Sequence, residues 1–110
     1  MTVVSVYATF ADAGEAERIG RQMVEERLAA CINILGPCRS IYRWQGAIET
    51  ADEVPAILKT TLAQTDTLIA RIAALHSYDV PCIAVWPIDK LHSEYADWVE
   101  ASVGEGGVSA

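Results

Sequence analysis

The segment Ala30-Cys31-Ile32-Asn33-Ile34-Leu35-Gly36-Pro37-Cys38-Arg39-Ser40-Ile41-Tyr42-Arg43-Trp44 reads as one very long strand, broken only at Gly36-Pro37. Gln45-Gly46 supplies a turn, and a second apolar run returns through Ile48 and Val54 to Leu58 and on to Thr61. At roughly 3.3 Å per residue the outgoing strand spans on the order of 50 Å. A compact chain of this length has a radius of gyration near 13 Å and a diameter of about 35 Å. The hairpin arm therefore overhangs its own domain. Strands usually stop after about six residues, and an overhanging apolar edge invites pairing with another chain, so the sequence predicts an obligate oligomer.

Outward from the arm, Gly36-Pro37 is a natural bulge, because proline cannot donate to the ladder and glycine tolerates the bend; the register is expected to shift there. The return strand is polar from Glu49 to Glu53, and Pro55 must face an unpaired edge or a second bulge. Thr2 to Phe10 is β-rich and apolar enough for a central strand. Asp12 then caps a helix, with Glu15 completing a capping box. Ala16, Ile19, Gly20, Met23, Val24 and Leu28 fall on one face of that helix, and Glu17, Arg18, Arg21, Glu25 and Glu26 on the other. Thr65 or Asp66 opens a second helix with Leu68, Ile72 and Leu75 as its buried stripe, and His76-Ser77-Tyr78-Asp79 ends it. Cys82 to Ile88 is a short strand interrupted by Pro87, and Ser93 caps a last helix carrying Tyr95, Trp98 and Val99.

The order is strand, helix, strand, strand, helix, strand and an extra helix. This is the βαββαβ order of a ferredoxin-like split βαβ fold, of class α+β, with a four-stranded antiparallel sheet. Two helices cover one sheet face, and right-handed crossovers leave the other open for neighbouring subunits. Residues 1–103 are expected to form a single domain, and 104–110 a disordered tail.

With 110 residues there is room for one core, and at 52% apolar the chain is rich for a small domain. Burial between subunits absorbs the excess. No apolar run approaches the roughly 20 residues that cross a bilayer, and Met1-Thr2-Val3-Val4 lacks the basic region of a signal peptide, so a cytoplasmic protein without membrane partners is expected. The formal charge is −7 with eight Lys plus Arg, and Arg18, Arg21 and Arg27 sit among glutamates. No basic stripe exists for nucleic acid. Cys31, Cys38 and Cys82 form no Cys-x-x-Cys and are read as reduced thiols, Cys31 packing as an apolar residue.

Several blocks, among them Glu25-Glu26-Arg27-Leu28-Ala29-Ala30-Cys31-Ile32-Asn33-Ile34, Ser40-Ile41-Tyr42-Arg43-Trp44-Gln45-Gly46, Lys59-Thr60-Thr61, His76-Ser77-Tyr78-Asp79-Val80-Pro81 and Tyr95-Ala96-Asp97-Trp98, resemble the CutA divalent-cation tolerance family. The likeness runs in order from about Val3 to Ser102. It implies a ferredoxin-like subunit in a tight homotrimer whose hairpins pair across subunits. It also implies a link to tolerance of divalent metals, copper above all, and animal members of the family are connected with anchoring acetylcholinesterase. No reaction is implied.

The copper ligands proposed for such proteins match Ala8, Leu75 and His76 here, so one imidazole stands where three donors are needed. A high-affinity copper site of that design is not expected. A different site would draw on His76, His92, Cys82 or acidic residues brought together by the trimer. Two further departures are His76-Ser77-Tyr78 in place of His-Pro-Tyr, and Cys82 in place of the acidic residue that follows Val-Pro; Gln45 also replaces a frequent glutamate at the hairpin tip.

Tyr42, Trp44, Lys59, His76, Tyr78 and Asp79 are the candidates for a ligand cleft, in which Lys59 would meet an anion. The competing structural reading makes Tyr42 and Trp44 interface anchors, pairs Lys59 with a carboxylate and assigns His76 and Asp79 to the helix end. Ser77, His76 and Asp79 are adjacent but carry no sign of a triad, and no catalytic role is expected. Three functions remain open: a trimeric metal-response protein, a small-ligand sensor with the architecture of the PII trimers, and a structural scaffold.

Overall fold

The computed structural model describes residues 2–104. In chain order the elements are β1 (Val3–Phe10), α1 (Ala13–Glu25), β2 (Cys31–Ile34), β3 (Cys38–Trp44), β4 (Ala47–Thr61), α2 (Thr65–Leu75), β5 (Ile83–Pro87) and α3 (Ser93–Ser102), with a 3-10 turn at Leu62–Gln64. The antiparallel sheet runs β2-β4-β1-β5, and β3 continues along β4 beyond the end of β2. This is the expected α+β class and split βαβ order.

The outgoing strand of the arm is thus two segments on one line. Ile34 pairs with Ala56 and Cys38 with Glu53, so four steps on one side answer three on the other, and the register shifts at Gly36-Pro37. Pro55 takes advantage of this gap. Its carbonyl accepts from Leu35 N–H at 2.9 Å, so its nitrogen faces the same broken stretch, where a missing donor leaves no ladder partner orphaned. The polar Glu49–Glu53 stretch does not interrupt β4, because Glu49, Thr50 and Asp52 are exposed on the arm and Asp52 meets Arg39 at 3.4 Å across the pair, while only Glu53 at the root is buried. Gln45 and Gly46 both have positive φ, 49° and 83°, as a two-residue hairpin turn that follows strand twist requires.

The main core lies on one sheet face. Val6, Ala8 and Phe10 of β1 alternate inward and meet Ala56 and Leu58 of β4, Ile19 and Met23 of α1, and Leu68 and Ile72 of α2. Burying each large side chain stabilises by about 1.5–3 kcal/mol. A Cβ on Gly20 would collide with Ile32, so glycine here lets α1 lie against β2.

The buried stripe of α1 is shorter than its periodicity predicts. Arg27 turns left-handed (φ 62°), Leu28 and Ala29 N–H both donate to Met23 C=O, and the helix has already ended at Glu25. Val24, still within the helix, is exposed, while Leu28 reaches the core from the turn.

The second sheet face is not wholly open. Val99 and Val103 pack on Val3 and Ala30, so α3 covers one end of it. Arg27 clamps that helix through its guanidinium, Nε to Gly104 C=O at 3.3 Å and Nη2 to Ala101 C=O at 3.1 Å, and Gly104 N–H returns a bond to Arg27 C=O at 2.9 Å. A cation suits the carbonyl end of a helix. Gly104 is therefore anchored, and residues 105–110 of the expected tail lie outside the described residues. The N-cap of α3 is His92, not Ser93, and no side chain caps it. The molecule measures 48 × 26 × 23 Å with a radius of gyration of 14.6 Å, the long dimension that the overhanging arm requires. Among the described residues no helix is long and apolar enough to cross a membrane.

Candidate functional site

Alternation along β1 puts Tyr7 and Thr9 on the face opposite the main core, and there, at the root of the arm, lies a groove of about 670 Å³. Ser40, Tyr42 and Trp44 of β3 form one wall, Ala51 and Glu53 of β4 the adjoining one, and Tyr78, Asp79, Val80 and Cys82 of the α2–β5 loop the third. Of the six predicted site residues the structure brings together Tyr42, Trp44, Tyr78 and Asp79. Lys59 is elsewhere, opposite Ser5 and Cys31 towards the α3 end of the sheet, and does not line the groove. The expected meeting of Lys59 with an anion in this cleft is therefore not formed within the subunit, since β4 places Glu53 at the groove and Lys59 six residues further along. The groove presents Glu53 and Asp79 and no Lys, Arg or His.

His76 is buried behind the loop rather than in the groove. Its ring stacks on Phe10 (centroids 5.2 Å apart, 16° between planes), Nδ1 accepts from Tyr78 N–H at 3.0 Å, and Nε2 lies 2.8 Å from Thr9 C=O. Those partners define the tautomer protonated at Nε2. Both ring nitrogens are used by the backbone, so neither Ser77 nor Asp79 completes a triad with it.

Glu15 holds the same loop. Its carboxylate accepts from Ala11 N–H at 3.0 Å and from Ser77 N–H at 2.9 Å, while Glu15 N–H donates to Asp12 Oδ1 at 2.8 Å. Burial pushes the carboxyl up, but the bonds from Ala11 N–H and from the hydroxyl and N–H of Ser77, with His76 nearby, outweigh it and hold the group below its ordinary value. The capping box is thus present, with its return arm on Ala11. Serine at position 77 acquires a physical reason: a proline has no N–H to give Glu15.

The loop so fixed delivers Tyr78 to Glu53. Burial first, then interaction with the Glu53 carboxylate, with Glu15 and Tyr42 adding, push the Tyr78 phenol up to about 12, so it stays protonated throughout the physiological range. Tyr7 is also raised, by burial and by the nearby Cys38, Cys82 and Glu53, and it stacks on Trp86 at 4.7 Å and 11°. Tyr7, Glu53 and the second role of Glu15 were missing from the sequence reading. The period-2 pattern through Tyr42 and Trp44 was the one signal that pointed at this face, and Glu53 follows only once the register with β3 is known.

All three cysteines are free. Cys31 is half-buried with its thiol 3.5 Å from the Tyr95 hydroxyl; burial and that thiol push the Tyr95 phenol up to about 12. The implied copper positions do not fit the ion. Ala8 is a buried strand methyl, Leu75 packs on the core and His76 has both nitrogens committed. Among the described residues no three His, Cys, Asp or Glu side chains converge as a metal cluster.

The family model described as CutA1 divalent ion tolerance protein matches residues 4–102. A relative from Thermus thermophilus, a divalent-cation tolerance protein CutA, is 44% identical over 89 residues, which is 81% of this chain and 86% of the relative. The solved structure of the divalent cation tolerance protein from Thermus thermophilus superposes with a TM-score of 0.90 at 40% identity, covering 93% of this chain and 99% of that one. That of a CutA from Archaeoglobus fulgidus, described as a periplasmic divalent cation tolerance protein, gives 0.89 at 37% identity, with 93% and 99% covered. With the fold, the arm and nearly the whole chain in agreement, this chain belongs to the CutA1 divalent ion tolerance protein family.

Proposed function

We propose that this chain serves divalent-cation tolerance as a self-associating binding protein, without catalysis, and that the groove at the root of its arm is where it binds. The observation that carries this reading is the charge of the groove: Glu53 and Asp79 line it, Cys82 adds a soft donor, and no basic side chain opposes them. A cleft of one sign concentrates ions of the other. Copper is the metal that the family suggests. Since no donor cluster closes around an ion within one subunit, metal ions are held in an open, exchangeable manner or by donors from several subunits of the proposed trimer. The engagement of both His76 nitrogens by backbone groups supports binding over catalysis. Three free thiols, with Cys82 exposed, suit a reducing cytoplasm.

Calorimetry on the metal-stripped full chain tests this reading. Saturable heats with copper or zinc at micromolar concentrations, weakened by Asp79→Asn or Cys82→Ser, are expected. Absence of binding to either metal would leave the scaffold reading in its place.

A further inference from the structure

We infer that residues 76–82, the loop between α2 and β5, are fastened to the body of the subunit by an acid-released latch. Two consecutive backbone amides carry it. Ser77 N–H donates to Glu15 Oε2 at 2.9 Å, and Tyr78 N–H donates to His76 Nδ1 at 3.0 Å. Each amide thus depends on an acceptor that a proton can occupy. Both acceptors are buried within the subunit itself, the His76 side chain at 0% exposure and that of Glu15 at 5%, so packing by other copies adds nothing to their burial. A proline at position 77, as in the family's motif, has no N–H to offer, so the latch belongs to this chain's own sequence.

The chemistry of the two acceptors runs in one direction. A neutral imidazole protonated at Nε2, where Thr9 C=O accepts at 2.8 Å, offers a lone pair at Nδ1; an imidazolium offers none, and its Nδ1–H would meet the Tyr78 N–H head-on. An ionised carboxylate accepts from Ala11 N–H and Ser77 N–H at once, whereas a protonated one has lost its charge and turns one oxygen into a donor. These bonds hold the Glu15 carboxyl below its ordinary value, so the docked loop binds fewer protons than the open one, and docking weakens as pH falls through that lowered value. The groups facing the pair are few. Asp12 of α1 accepts from Glu15 N–H, Glu15 lies 4.0 Å from His76 Nε2, the Tyr78 ring packs on His76 with Glu53 of β4 beyond it, and β1 presents Thr9 C=O and the Phe10 ring. Glu15 would favour a charge on His76, but the proton that creates it must sit on the nitrogen that Tyr78 needs. Among the described residues neither Lys nor Arg ion-pairs with Glu15, so no fixed cation keeps its carboxylate ionised in acid. Opening the latch frees the segment that carries Tyr78 and Asp79 while the core on β1 and β4 keeps its packing. The inference does not depend on what the groove receives.

Hydrogen exchange resolved by NMR, on the full chain in its solution assembly and referred to the unprotected rate at each pH, is the test. Between pH 7 and pH 3 the protection of the Ser77 and Tyr78 amides should fall by at least about tenfold, and that of Val6 and Ala8 in β1 by less than about threefold. The nitrogen shifts of the His76 ring at pH 7 should report a proton on Nε2. Glu15→Gln should lower Ser77 protection at pH 7 by about tenfold and flatten its dependence on acid. If that variant does not fold, the acid series on the parent decides alone.

Loop amides that lose protection only in step with Val6 and Ala8 would overturn the inference, because the release would then be global unfolding. Protection retained down to pH 3 would overturn it too, including the case in which a neighbouring copy holds the loop. So would a proton on Nδ1 at pH 7, or a folded Glu15→Gln variant that exchanges like the parent.

Discussion

Glu15 shows how one side chain joins distant parts of this fold. Its carboxylate receives Ala11 N–H and Ser77 N–H, and it is the second of these, spanning 62 positions, that fixes the loop bearing Tyr78. Because its native value is lowered from 4.5, the ionised form stabilises the fold above about pH 4.5, and that contribution is lost as pH falls through the lower native value. Glu15→Gln is expected to lose about 1–3 kcal/mol at pH 7 and to converge on the parent as pH falls through the lowered native value, read from denaturant midpoints at each pH. A constant gap across that range would show that charge is not involved. Ser77→Pro should narrow the gap by removing both Ser77 donors, and the extended backbone of His76 (φ −72°, ψ 147°) accepts a following proline. The capping role of Glu15 was legible from Asp12 and Glu15 standing three apart. Its bond to Ser77 was not, because nothing local encodes which loop will arrive there.

Among elements, the arm was the most legible and its details the least. The turn at Gln45-Gly46, the bulge at Gly36-Pro37 and the register shift all follow from residues whose backbone options are narrow. The turn yields a direct expectation. Gly46→Ala at φ 83° should lower stability by about 1 kcal/mol, and Gln45→Gly, which relieves a side chain at φ 49°, should raise it by up to about 1 kcal/mol, both read as shifts in melting temperature. Matching shifts of one sign would mean the turn geometry differs. The polar stretch of β4 was weak as a strand in isolation and is continuous because each residue finds a partner across the hairpin, Tyr42 opposite Glu49 and Arg39 opposite Asp52. Helix ends were misplaced where a local signal was overridden. Val24 continues the apolar pattern of α1 but is exposed within the helix, which ends at Glu25 before Arg27 turns the chain, and Ser93 has cap chemistry but sits one position inside α3. At the junction of α1 and α2 the exposed Glu26–Arg71 pair, 2.7 Å at its shorter contact, holds the Glu26 carboxyl at about 2, first through the Arg71 hydrogen bond and then that of Gln22.

At the scale of the whole molecule the arm leaves Ile41 69% and Ile48 60% exposed, with Trp44 beside them at 45%. An isolated subunit with such a tip is a poor solution in water, and the proposed trimer answers it by docking the tip between neighbours. Trp44→Ala should then weaken assembly by at least about 2 kcal/mol, as the loss of a buried aromatic anchor does, and should lower both the sedimenting mass on dilution and the melting temperature. Unchanged mass and melting temperature would remove Trp44 from the interface. From the sequence alone came the order of strands and helices, the overhang and the family, since these rest on periodicity, on turn residues with few conformations and on contiguous motifs. Only the tertiary structure decided that Glu53 and Tyr7 join Tyr42, Trp44, Tyr78 and Asp79, that Lys59 stands apart, and that His76 is spent on the backbone. Those outcomes depend on cross-strand register and loop docking, where a shift of one residue turns a side chain to the opposite face.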